Sequence, residues 1–338
     1  MKPKQTVLNR PAFSLSPYRP SWWLPGGHLQ TLGGKYLRRP GTFPTKRERI
    51  DTPDGDFLDL EFGPGADSEA PLILLLHGLE GFTRRPYMVQ AAQAVTGQRL
   101  ATVGLNFRSC SGEPNRRPRL YHSGDTADTL HVLRLLRSRW PGRALGAMGF
   151  SLGGNVLLKL LGEREDGGDG VLSAAVGVSV PYDLAAGAAY MERGLMGSFY
   201  SRYFLRSLKG KVRAKEDQLR PLIDLKKVYE ARTLREFDDL ATGPLHGFED
   251  AADYYRKSSC SQFLPSIRVP TLLFHARNDP FLPPRAIPHE AVAQNPWITP
   301  AFARRGGHVG FVEGSFPGLP TFWADQEGAR FLRTMLIQ

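Results

Sequence analysis

Cysteine is nearly absent from this chain, which contains only Cys110 and Cys260. Two thiols in 338 residues are too few for a disulfide framework, and neither sits in a metal-ligand spacing. The eight histidines form no HExxH or paired His/Cys pattern, so no metal is expected. Long apolar runs are also missing. The longest aliphatic stretch, around Leu72 to Leu76, falls far short of the roughly 20 residues needed to span a membrane. The first twenty residues carry charge and proline but lack the apolar region of a signal peptide. These absences predict an unexported, cytoplasmic protein in a reducing compartment. No internal repeat or low-complexity tract is visible.

What is present has ordinary globular character, with 41% hydrophobic and 23% charged residues, enough for one large core and a subdomain. The net charge of +11 is regional: residues 1–50 carry +9 and residues 202–235 carry +7. A solvated surface accounts for this as well as attraction to a polyanion does. No base-stacking motif accompanies the charge, so nucleic acid is not expected, and peripheral contact with an anionic membrane through a basic cap and N-terminal arm stays open.

Apolar runs bounded by turn residues recur at Leu72–Leu76, Thr102–Asn106, Ala144–Gly149, Ala174–Val180 and Thr271–His275. Helical stretches at Pro86–Gln98, Thr126–Arg139 and Asn155–Leu161 separate the first four, an alternation that predicts a parallel sheet. Ahead of it, Arg47–Ile50 and Phe57–Phe62 flank a Thr-Pro-Asp-Gly-Asp turn, a hairpin signal that adds antiparallel strands at one edge. Strand character stops between Leu184 and Pro265. The predicted organisation is one domain over residues 1–338, with a helical cap inserted at 184–265 and an N-terminal arm at 1–45 packed on the core.

Gly149-Phe150-Ser151-Leu152-Gly153 runs from a strand into a helix and has the G-x-S-x-G form of a nucleophile elbow, a weak signal alone. A serine hydroxyl is a poor nucleophile at neutral pH and needs a base, which in turn needs an orienting group. Downstream, Asp279 follows a strand and His308 sits in the loop Gly306-Gly307-His308-Val309-Gly310, giving the order Ser, acid, His. Asp183 is the rival acid; Asp279 as a helix cap and His308 as a plain loop residue are the bland alternatives. The turn His77-Gly78-Leu79-Glu80-Gly81 ends the first core strand, and its Leu79 amide could pair with that of Leu152 as an oxyanion hole. His77 and His122 are expected to be structural hydrogen-bonders and Glu80 a solvated turn residue. In the insert, Met191, Leu195, Phe199 and Tyr203 recur every fourth residue. That stripe reads as packing over the core or as an apolar acyl-binding wall, with Phe199 and Tyr203 as candidate substrate contacts.

Several longer motifs stand in register with these. They include Trp22-Trp23-Leu24-Pro25-Gly26-Gly27-His28-Leu29-Gln30-Thr31-Leu32, Asn106-Phe107-Arg108, Tyr121-His122-Ser123-Gly124, Arg235-Glu236-Phe237-Asp238 and Tyr254-Tyr255. Together they resemble the YheT-like family of α/β-hydrolases, related to eukaryotic α/β-hydrolase-domain lipases and esterases. The resemblance implies an α/β-hydrolase fold with a mostly parallel eight-stranded sheet flanked by helices, a triad on Ser151, Asp279 and His308, and no cofactor. Ser109 departs from the glycine expected after Asn-Phe-Arg. The leading expectation is a serine esterase acting through an acyl-enzyme on a small or lipid-like ester. Acyl transfer or thioester cleavage by the same residues is the alternative, and an idle binding protein using its basic surface is a third.

Overall fold

The structure, a computed structural model, describes residues 11–164, 166–168 and 170–337. The first ten residues of the expected N-terminal arm lie outside them. Strands β1 (Lys46–Asp51), β2 (Phe57–Phe62), β3 (Leu72–Leu76), β4 (Ala101–Asn106), β5 (Leu145–Phe150), β6 (Ala174–Val178), β7 (Thr271–Ala276) and β8 (Ile298–Ala303) form one eight-stranded sheet. Its spatial order is β1-β2-β4-β3-β5-β6-β7-β8. The β1–β2 hairpin and the β2–β4 pair are antiparallel, and every other pairing is parallel.

Helices cover both faces, which is why the central strands are continuously apolar instead of alternating. In β3, Leu72, Leu74 and Leu76 pack with Val132, Leu133 and Leu136 of α3 (Thr126–Arg139) and with Val156 and Leu160 of α4 (Leu152–Glu163). Ile73 and Leu75 point the other way. They meet Met88, Ala91 and Val95 of α2 (Pro86–Gly97) and Phe331 and Leu332 of the C-terminal helix Trp323–Leu336. Each such fully buried side chain contributes about 1.5–3 kcal/mol. Strand β8 contains Pro300, opposite Leu273 of β7. An edge strand tolerates a proline, whose missing N–H there leaves no ladder bond unmade.

Between β6 and β7 the described residues contain helices and no strand. α5 (Leu184–Met191) begins where the Asp183 carboxylate accepts the Ala186 N–H at 2.9 Å. α6 (Gly194–Ala214) follows, then short helical pieces as far as Ser266. Leu205, Leu208 and Val212 of α6 pack with Leu219, Val228, Leu234 and Phe237 of those pieces, and with Leu120 from the main body. The buried face of α6 is therefore not the Leu195–Phe199–Tyr203 stripe: Leu195 is 89% exposed, while Phe199 and Tyr203 are part-exposed at 53% and 42%. No helix among the described residues is long and apolar enough to cross a membrane.

One buried cation ties the antiparallel edge to the parallel core. Arg108, just past β4, forms a bidentate pair with Asp128 of α3 at 2.7 Å and reaches Asp54 at 2.8 Å and Asp56 at 2.9 Å in the hairpin turn. Arg108, Asp56 and Asp128 are all buried. Beside it Ser109, where glycine was expected, has φ +60 and donates to the Asn115 side chain at 2.5 Å. Removing one partner of a buried ionic cluster strands the others in low dielectric. Arg108→Met should therefore cost about 3–5 kcal/mol in urea unfolding; a loss below about 1 kcal/mol would show that the carboxylates need no cation.

Candidate active site

Strand β5 delivers the chain into α4 through a bend that leaves no room for a Cβ at positions 149 and 153, two residues either side of Ser151. A Cβ on Gly153 would sit 2.5 Å from the Leu76 carbonyl oxygen and 2.6 Å from that of His77; one on Gly149 would sit 2.5 Å from the Gly153 oxygen. Ser151 itself has φ +50 and ψ −119, a left-handed conformation that costs a non-glycine residue about 1–3 kcal/mol. Its amide is fixed by the Val178 carbonyl at 2.8 Å, so the bend is locked to the end of β6.

Two loops, which follow β7 and β8, converge on this serine. His308 Nε2 lies 2.9 Å from Ser151 Oγ, and His308 Nδ1 lies 2.8 Å from Asp279 Oδ2. Asp279 follows β7 and is buried; its other carboxylate oxygen accepts the Phe281 N–H at 2.8 Å. The Phe281 ring covers the imidazole with centroids 4.3 Å apart. Asp183, the rival acid, instead caps α5. The structure thus brings Ser151, Asp279 and His308 together in one chain of hydrogen bonds.

In the loop after β3 the amides on either side of Leu79 are engaged. Gly78 N–H donates to Tyr87 Oη at 2.9 Å, Glu80 N–H to Tyr121 Oη at 2.7 Å and Gly81 N–H to the Gly78 carbonyl at 3.0 Å. Among the described residues no acceptor engages the N–H of Leu79, or that of Leu152 at the first turn of α4. Leu79, Ser151, Leu152 and His308 line a common cavity. His77 is structural: Nδ1–H donates to the Gly78 carbonyl at 2.8 Å and Nε2 accepts the Phe107 N–H at 3.2 Å. Its burial pushes the imidazole pKa down to about 3, so it stays neutral. His122 accepts the Gly124 N–H at 3.1 Å and also faces the cavity.

Glu80 corrects the sequence reading. It is buried, with φ +55, and its carboxylate takes hydrogen bonds from Tyr121 at 2.8 Å and from Ser207, and pairs with Lys211 at 2.9 Å. Ser207 and Lys211 both belong to α6, so this carboxylate joins the insert to the loop carrying Leu79. A lone acid in a turn looks solvated in sequence because its partners lie 127 and 131 residues away.

Other contacts had only a weak signal in the Trp22–Leu32 motif. That motif forms α1 (Gly26–Tyr36), whose Thr31 Oγ1 accepts the His308 N–H at 2.8 Å. Asn278 Oδ1 accepts the Gly307 N–H at 3.1 Å and Ser179 Oγ the Val309 N–H at 2.9 Å, so three side chains from separate elements fix the histidine loop.

Two cavities meet at Ser151 and His308. The inner one, about 120 Å³, is walled mainly by Leu79, Leu152, Leu184, Met191, Phe204 and Leu208. The outer one, about 360 Å³, runs past Lys35, Tyr36, Arg85, Phe199 and Tyr203. Lys35 Nζ sits 4.1 Å from the Tyr203 ring centroid, linking α1 to α6 across this outer opening. Among the described residues no cluster of three or more His, Cys, Asp or Glu side chains is placed to hold a metal ion.

Comparison with known proteins agrees with this fold. A family model described as the alpha/beta hydrolase fold matches residues 71–314. The chain is 38% identical over 315 residues to the YheT protein of Escherichia coli (strain K12), covering 91% of each. It is 30% identical over 326 residues to phospholipase ABHD3 of Mus musculus, covering 94% of this chain and 79% of that one. Against the monoacylglycerol lipase of Saccharomyces cerevisiae it is 34% identical over 255 residues, 73% of this chain and 56% of the lipase. A Pyrococcus furiosus esterase of known structure shares the fold, with a TM-score of 0.59 at 17% identity over 96% of this chain and 99% of that one. The protein therefore belongs to the YheT-like family of α/β-hydrolases, a group of esterase and lipase type.

Proposed function

We propose that the protein cleaves carboxylic esters through an acyl-enzyme, with Ser151 as nucleophile, His308 as general base and Asp279 as its orienting partner. The observation that carries this reading is the hydrogen-bonded chain Asp279–His308–Ser151, with distances of 2.8 and 2.9 Å, opening onto an apolar cavity. Asp279 holds the proton on Nδ1, which leaves Nε2 as the acceptor for the serine proton. Attack on the ester carbonyl places negative charge on its oxygen, and the free N–H groups of Leu79 and Leu152 receive it. The imidazolium then protonates the departing alcohol, and water attacks the acyl-serine by the same route. No metal or cofactor has a part in these steps.

The apolar inner cavity favours an acyl chain, and relatives named phospholipase and monoacylglycerol lipase support a lipid-like ester. We assign the 184–265 insert as a cap that supplies the cavity wall and the 1–45 arm as support for the histidine loop. Exposed Tyr36, Phe199 and Tyr203, with Lys35 among them, suit the outer opening to a lipid surface at the inner face of a membrane. Co-sedimentation with anionic vesicles, lost at high salt, is expected; indifference to vesicle charge would remove the membrane contact.

Ser151→Ala should abolish both fluorophosphonate labelling and p-nitrophenyl ester turnover while leaving the thermal midpoint within a few degrees. Asp279→Asn should lower kcat by about 10³–10⁴-fold, whereas Asp183→Asn, which keeps a helix cap, should stay within a few-fold. The reverse ranking would move the acid to the β6 loop. Phe204→Ala, in the wall of the inner cavity, should shift the preferred acyl length measured on a graded ester series; an equal loss at every length would indicate packing damage alone.

A further inference from the structure

The inner cavity is not apolar throughout. His122, Asp238, Thr242, His246 and Tyr255 also line it, and none of these side chains hydrogen-bonds to Ser151, Asp279 or His308. Asp238 is already engaged, accepting from Thr242 at 2.6 Å and from Tyr255 at 2.7 Å. The two imidazoles are less well provided for. They stand with centroids 4.4 Å apart, His122 being boxed by Phe248 at 5.5 Å and Tyr254 at 5.6 Å. Because His122 Nδ1 accepts the Gly124 N–H, the proton of the neutral ring is on Nε2. His246 Nε2 is buried and has no hydrogen-bond partner among the described residues.

Burial, together with the positive charge of Arg119, pushes the pKa of His122 down to about 3. Burial and neighbouring His122, Arg119 and Arg108 take that of His246 down to about 2. Both rings are therefore uncharged at neutral pH. An uncharged pair beside a buried carboxylate gives no attraction to an anionic ligand. What it matches is a group that both donates and accepts a hydrogen bond, and a hydroxyl satisfies His122 Nε2–H and His246 Nε2 in either tautomer of the latter.

We propose that His122 and His246 form a polar subsite within the inner cavity, and that the acyl group accommodated there carries a hydroxyl. This deepens the proposed function and rests on Ser151 accepting the acyl group. A plain alkyl chain in the same place leaves the His246 nitrogen unpaired, so the subsite discriminates by rejecting the unsubstituted chain as well as by binding the substituted one.

The test compares p-nitrophenyl hexanoate, octanoate, decanoate and dodecanoate with their terminally hydroxylated counterparts. The expected result is a hydroxyl-to-alkyl ratio of kcat/KM of at least about tenfold at one or more lengths. His246→Leu and His122→Phe should each bring that ratio close to one, and His246→Gln should retain part of it. Fluorophosphonate labelling of each variant reports whether Ser151 is still assembled. Calorimetric binding of the matching hydroxylated and plain carboxylic acids to the Ser151→Ala protein gives a readout independent of turnover. Ratios below one at every length, or a ratio that neither histidine variant changes, would overturn the subsite. Absence of turnover and labelling in the unaltered protein would defeat the hydrolase reading alone, since the binding comparison would still decide the subsite.

Discussion

Everything in this molecule is arranged around one close approach of backbone to backbone, where the first turn of α4 lies against the carbonyls of Leu76 and His77 at the end of β3. Glycine at 153 makes that contact feasible, and the bend it allows forces Ser151 to φ +50. The strain is held by the sheet, through the Ser151 amide and the Val178 carbonyl. Two unengaged amides, Leu79 and Leu152, come to the same place because the segments that carry them are those in contact. A strained serine is stable only when its surroundings over-determine it, and three parallel strands ending side by side do that.

Buried charge performs the remaining fastening. Arg108 binds the hairpin turn to α3 through three carboxylates, and Glu80 binds α6 to the turn that holds Leu79. In both cases the ion pair joins segments far apart in sequence, and Arg108, Asp56, Asp128 and Glu80 are buried, so loss of one of these members leaves its partners uncompensated. The consequence for function is geometric. The insert is not merely laid over the sheet; it is anchored to the residue next to a free amide at the site.

The histidine loop has a separate support. Gly27 of α1 packs so closely on the Asp279 loop that a Cβ there would lie 1.8 Å from the Asn278 oxygen, and Thr31 of the same helix accepts the His308 N–H. An early segment of the chain thereby positions two loops that follow the last two strands of the sheet. Lys35, one turn further on, meets the Tyr203 ring of α6, so α1 also forms a rim of the outer cavity.

Local order along the chain was enough to determine the strands with unbroken apolar runs, the hairpin and the tight turn at Ser151. Each of these depends on residues within a few positions of one another: a period, a turn, a pair of small residues. A strand ahead of the His308 loop was legible, but not its bounds, because Pro300 argues against a strand until its edge position is known. The buried face of α6 escaped because its helical periodicity offers two stripes, and only the packing partners decide which faces inward. Glu80, Thr31, Asn278 and the facing imidazoles of His122 and His246 were beyond sequence for the same reason. Their roles come from partners on other elements, and a side chain takes its hydrogen bonds and its charge state from neighbours that only the folded chain supplies.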